Sequence, residues 1–199
     1  MSERIKILQR QIFKTDPLVV LGGSVRLLGE KRLEMYAGLV SEKLAHHPNT
    51  MLQYSPPEIF KAMIDRRSVV ITNPRTGNLL AFAQVWKYGS NDGRDIYEFG
   101  SWSAYKDDEY KNGNGRLALL AGPILVREID PSAQAIAIVE KTNKKAQKII
   151  TDFGGIEIEG EWSPYLRTVE GETAYMKKFD ITMRGGEENV SSKRNTTTA

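Results

Sequence analysis

Between residues 110 and 129 the chain passes from a glycine-bearing turn, Tyr110-Lys111-Asn112-Gly113-Asn114-Gly115-Arg116, into a mostly apolar stretch at 117–129, and this succession limits the folds open to it. A helix that is apolar over most of its surface has to be covered by other elements. An alternating strand pattern at 95–104 precedes the turn, and a short apolar strand pattern at 134–140 follows the helix. Strand, helix and strand in that order predict a crossover that brings two parallel strands into one sheet.

The rest of the chain predicts what surrounds that unit. Leu33, Tyr36, Leu39, Val40 and Leu44 recur near a 3.6-residue period, so residues 30–47 read as an amphipathic helix. Ser55-Pro56-Pro57-Glu58 combines a capping serine, first-turn prolines and a glutamate three residues on, which announces a second helix to about Asp65. Residues 68–73 and 79–88 are β-rich and flank Pro74-Arg75-Thr76-Gly77, the composition of a hairpin turn. A turn-like loop at 89–93 leads to strand 95–104. Residues 143–152 read as a further helix and 174–181 as a last strand, whereas Gly22-Gly23 marks a bend. The expected fold class is therefore α/β, a mixed sheet that is antiparallel at first, carries one parallel crossover and is flanked by helices.

With 199 residues, 40% of them hydrophobic and 27% charged, the chain suits a single domain, expected over 1–183. The remainder, from Arg184, has almost nothing apolar to bury and is expected to be a disordered tail. No stretch approaches the roughly 20 apolar residues that cross a bilayer, and the first residues lack the apolar core of a secretory signal. Cysteine is absent, which excludes disulfides, thiolate metal sites and a cysteine nucleophile and fits a cytoplasmic protein. The adjacent histidines His46 and His47 point about 100° apart on a helix, and no metal site is expected. The net charge of +3 is spread among nearly as many acids as bases, so no basic stripe argues for nucleic acid.

The chemistry concentrates at the turn. The first backbone N–H groups of a helix have no internal acceptor, and the helix dipole favours an anion there. Glycines Gly113 and Gly115 would let a phosphate reach the main chain, so Tyr110, Lys111, Asn112, Gly113, Asn114, Gly115 and Arg116 form a candidate diphosphate cradle. Asparagine and glycine so close together also make a plain loop, and both readings stand on these residues alone. Neither the Gly-Lys-Ser/Thr of a P-loop nor the third glycine of a dinucleotide fingerprint is present.

Gly113-x-Gly115 on a strand-to-helix turn resembles the signature of the GNAT acetyltransferase family, with Tyr110 in place of its leading glutamine or arginine. Asn143-Lys144-Lys145-Ala146 through Ile149-Ile150, then Phe153-Gly154-Gly155, is similar to that family's later asparagine and glycine pattern. The resemblance implies acetyl transfer from acetyl-CoA to a primary amine of a small molecule or protein. Strands 98–104 and 134–140 would part to admit the pantetheine arm, with main-chain groups of Trp102, Ser103 and Ala104 against it and Asn143 further out. Glu98 becomes the candidate base for the attacking amine, the alternative being an ordinary strand glutamate, salt-bridged or facing solvent. Ile150 stands where many members carry a tyrosine acid, which leaves Tyr105, Ser103 or water to protonate the thiolate. It also leaves open a binding module that kept the fold without the chemistry. The acceptor and homodimerisation are not legible.

Overall fold

The structure, a computed structural model, describes residues 17–46, 53–110, 112–159 and 176–182. Seven strands form one sheet: β1 (Leu18–Leu21), β2 (Ser68–Thr72), β3 (Leu79–Asn91), β4 (Arg94–Ala104), β5 (Gln134–Glu140), β6 (Ile156–Ile158) and β7 (Met176–Asp180). Their order across the sheet is β1-β2-β3-β4-β5-β7-β6. Every neighbouring pair is antiparallel except β4 and β5, which the crossover helix joins in parallel.

Helices cover both faces. On one side α3 (Asn114–Ile129) and α4 (Lys144–Asp152) pack over Val69, Ala81, Val85, Phe99, Ala135, Ala137 and Phe179. On the other, α1 (Glu30–Ala45) and α2 (Pro56–Ile64) close over Val20, Val70 and Phe82. The α1 stripe is the expected one, Leu33, Tyr36, Val40 and Leu44, but Ala37 joins it and Leu39 stays 39% exposed. The predicted capping box begins α2, the Glu58 carboxylate accepting the Ser55 N–H at 2.8 Å.

Three local differences matter. Residues 18–21 and 156–158, unassigned from sequence, are short edge strands at the two ends of the sheet. The loop expected at 89–93 is a two-residue turn: β3 and β4 pair as far as Asn91 and Arg94, and Asp92 and Gly93 take φ of 50° and 74°. Both central residues at positive φ match the twist of a hairpin, which makes the turn tight. Helix α3 starts three residues earlier than its apolar stretch, at Asn114, and so takes in the last three residues of the glycine-bearing turn. The last strand starts at Met176, while residues 174 and 175 and the expected tail from Arg184 lie outside the described residues.

Candidate active site

The site starts from an interruption in the sheet. β4 and β5 pair only from Ile96 with Gln134 to Phe99 with Ala137. Beyond that rung β4 continues to Ala104 bonded to β3, and β5 continues to Glu140 bonded to β7. Residues 100–104 and 138–140 thus have strand partners on one edge only, and their inner edges face a gap within the sheet. Backbone polar groups at such a gap require a partner, which a ligand carrying amides can supply.

A bulge accompanies the parting. Between Phe82 opposite Ser103 and Gln84 opposite Gly100, β4 holds one residue more than β3, and Ser101 takes φ of 48°. A non-glycine residue there is strained, and bulges of this kind bend the strand that carries them. The buried Gln84 amide holds the bulge by donating to Ser101 Oγ at 2.9 Å. Replacing Gln84 by leucine leaves that hydroxyl without its donor inside the protein, and we expect a loss of about 1–2 kcal/mol in chemical denaturation.

The helix start lies beside the gap. Gly113, at φ 91°, is the N-cap of α3 and offers no side chain to its first turn. Backbone N–H groups of Gly113, Asn114, Gly115 and Arg116 find no acceptor among the described residues. Asn114 is buried; its amide donates to the Tyr110 carbonyl at 2.9 Å, and its Oδ1 has no partner among the described residues. Trp102 ties helix to strand by donating from Nε1 to the Gly115 carbonyl at 2.8 Å. A Cβ on Gly115 would meet that indole nitrogen only at ordinary contact distance, 3.4 Å. Tyr110 buries its ring in the core beneath the turn, leaving only its main chain to line it. Asn112 and Arg116 are exposed, and Lys111 lies outside the described residues.

Glu98 lies two rungs below the bulge, on the sheet face covered by α1 and α2. It is 7% exposed, and its one described partner is the Trp86 indole, which donates to Oε2 at 3.1 Å. Burial pushes its carboxyl up to about 8, against the smaller opposing effect of the Trp86 hydrogen bond. Neither ordinary reading of this glutamate fits, since it forms no salt bridge among the described residues and does not face solvent. The outer end of the Trp86 ring lies against Gly100, where a Cβ would be 2.3 Å from Cη2. Tyr54 packs against Trp86, the ring centroids 6.1 Å apart.

No protein-family model matches the chain, and no curated protein matches its sequence. Solved structures match its shape. The Salmonella typhimurium protein yncA, solved with its cofactor acetyl-CoA, gives a TM-score of 0.59 at 11% identity, over 88% of this chain and 99% of its own. The ribosomal-protein-alanine N-acetyltransferase of Brucella melitensis gives 0.54 at 14% identity over 81% and 97%. An acetyltransferase of the GNAT family from Bacillus anthracis gives 0.51 at 13% identity over 82% and 91%. The fold is that of the GNAT acetyltransferases.

Within the GNAT fold the remaining expected residues fall in different surroundings. Ser103 is buried on the same face as Glu98, and its hydroxyl donates to Tyr105 Oη at 3.4 Å. Tyr105 packs into the α1 and α2 core, with the Lys43 ammonium 5.0 Å from its ring centre. Burial raises its hydroxyl to about 12, the Ser103 bond opposing and Glu42 adding to the rise. A thiol ionises near 8.5, so proton transfer from Tyr105 to a thiolate would run uphill. Asn143 is exposed and caps α4, its Oδ1 accepting the Ala146 N–H at 3.0 Å; its side-chain amide nitrogen points to no described acceptor. Ile150 is fully buried against Gly155 and brings no titratable group to the site. Ala104 is exposed at the end of β4. No described helix is long and apolar enough to cross a membrane. Gln84 and Ser101 escaped sequence reading because nothing in Gly100-Ser101-Trp102-Ser103 marks which residue bulges.

Proposed function

We propose that this chain moves an acetyl group from acetyl-CoA to a primary amine of a small molecule or a protein. The observation that carries the reading is the gap between β4 and β5 with the unbonded N–H groups of α3 beside it. Those donors suit a diphosphate, since they converge at the positive end of a 16-residue helix. The residues present therefore fit the cofactor: amides of Gly113, Asn114, Gly115 and Arg116 would hold the diphosphate, and the inner edges of 100–104 and 138–140 would pair with the pantetheine arm. When bound, it supplies an acyl group already activated as a thioester.

The chain's own work is to place the amine and take its proton. An acceptor arrives as an ammonium and attacks only once neutral. Glu98, with its carboxyl near 8, holds that proton at Oε1 or Oε2, directly or through a water. The Trp86 indole bonded to Glu98 and the Tyr54 ring packed against it offer aromatic faces, to which an ammonium is attracted. Main-chain donors at the bulge would polarise the acyl carbonyl, a contribution whose loss costs about 100-fold in comparable sites.

One pair of observations supports a second reading. Ile150 is apolar and burial makes Tyr105 a weaker acid than an ordinary tyrosine, which leaves Ser103 or water to protonate the thiolate and suits a module that binds acyl-CoA and turns it over slowly. Thiol release from acetyl-CoA across a panel of amines separates the two: acceptor-stimulated release supports the enzyme, and tight binding without it supports the module. Gly113→Val is expected to weaken acetyl-CoA at least tenfold, because a β-branched residue at φ 91° costs about 1–2 kcal/mol and moves the N–H groups. Unchanged affinity in that variant would remove the α3 terminus from the site.

A further inference from the structure

A second set of polar contacts lies behind the cofactor turn, where the β2–β3 hairpin meets the segment that leads into α3. Asp107 is its centre. One carboxylate oxygen accepts the backbone N–H groups of Glu109 at 3.0 Å and Tyr110 at 3.3 Å. The other accepts Asn78 Nδ2 at 3.1 Å. Asn73, buried, donates its amide to Asp107 at 3.3 Å and to Glu109 at 3.1 Å, while its Oδ1 accepts the N–H groups of Arg75 and Thr76 and so shapes the hairpin turn. An exposed pair, Arg75 with Glu109 at 3.2 Å, lies at the rim. The hairpin is in turn fixed to α1, since the Tyr36 hydroxyl donates to the Gly77 carbonyl.

These contacts run into the site through Tyr110. Asp107 holds its N–H, its ring is sunk in the core, and its carbonyl accepts the amide of Asn114, the first residue of α3. Among the described residues, 105–110 and 112–113 belong to no helix or strand, so their path is set by what they are bonded to. We propose that Asp107, oriented by Asn73 and Asn78, is a positioning residue that fixes the cofactor turn and thereby the aim of the N–H groups of α3. This rests on the cofactor reading of that turn. Hydrogen bonds to an ionised carboxylate are stronger than neutral ones, and two of the four here go to the main chain being positioned.

The test compares coenzyme A binding by calorimetry in the full chain with Asp107→Ala, Asp107→Asn and Arg75→Ala. Asp107→Ala is expected to weaken coenzyme A about tenfold, and to raise KM for acetyl-CoA with kcat little changed. Asp107→Asn, which keeps one oxygen to accept both N–H groups, restores most of the affinity, and Arg75→Ala, which breaks only the exposed pair, leaves it intact. Wild-type affinity in Asp107→Ala, or equal losses in Arg75→Ala, overturns the proposal. A wild-type chain that ignores coenzyme A would defeat the cofactor reading instead. The positioning itself is then read by amide exchange at Tyr110 and Leu117, which must quicken in Asp107→Ala, and unaltered exchange refutes it.

Discussion

Glu98→Gln is expected to slow acetyl transfer by about 100-fold or more while making the folded chain more stable. Both effects follow from one buried carboxyl held near 8 by desolvation. Its folded-state pKa is raised above the ordinary 4.5, so the folded chain binds this proton more tightly than the unfolded chain. The stability it contributes is fully present below about 4.5, falls as pH rises, and is lost above about 8. Glutamine stays neutral throughout, so its advantage grows across that window, to at most roughly 5 kcal/mol. Activity has the opposite sign, because the base works only when ionised and the wild-type rate should climb through about pH 8. Denaturant melts at pH 5 and pH 9 and pH–rate profiles of both proteins check this. A variant that keeps the wild-type rate, or that is less stable at pH 9, would show that Glu98 is not a base buried at a cost to stability.

Gly122→Ala sets two forces against each other. Alanine is the better helix former by about 1 kcal/mol, so propensity alone predicts a gain. A Cβ at Gly122, however, would lie 2.3 Å from Phe99 Cδ2 and 2.7 Å from Cε2, on a ring that is itself buried and packed 6.1 Å from Trp102. Overpacking of this kind costs about 1–3 kcal/mol, and we expect it to win, with a net loss in urea denaturation. Phe99 is the last rung at which β4 and β5 pair, so lifting α3 from it also disturbs the gap. Acetyl-CoA affinity should fall along with stability. A more stable variant would show that α3 can ride higher on the sheet without strain.

Much of the fold was legible because its signals are local. The spacing of Leu33, Tyr36, Val40 and Leu44, the capping residues Ser55 and Glu58, and the Pro74 to Gly77 turn each act within a few residues, and each formed the element expected. The short edge strands were not legible, because four residues at 18–21 and three at 156–158 are strands only through the neighbours they pair with. The candidate site divides the same way. The glycine pattern put Gly113 and Asn114 at a helix start, but the burial of the Tyr110 ring in the core and the Trp102 bond to the Gly115 carbonyl were not legible. Both outcomes depend on what lies across the sheet.

The sequence by itself determined the order of elements, the parallel crossover and the position of the turn that opens α3, since backbone preference and hydrophobic period decide these over short distances. Only the tertiary structure decided where β4 and β5 part, that Ser101 bulges under the hold of Gln84, that Glu98 is buried with Trp86 as its donor, and that Asp107 anchors the turn from behind. Each of these joins residues from different elements, and the burial and charge environment that sets their chemistry exists only once those elements are packed.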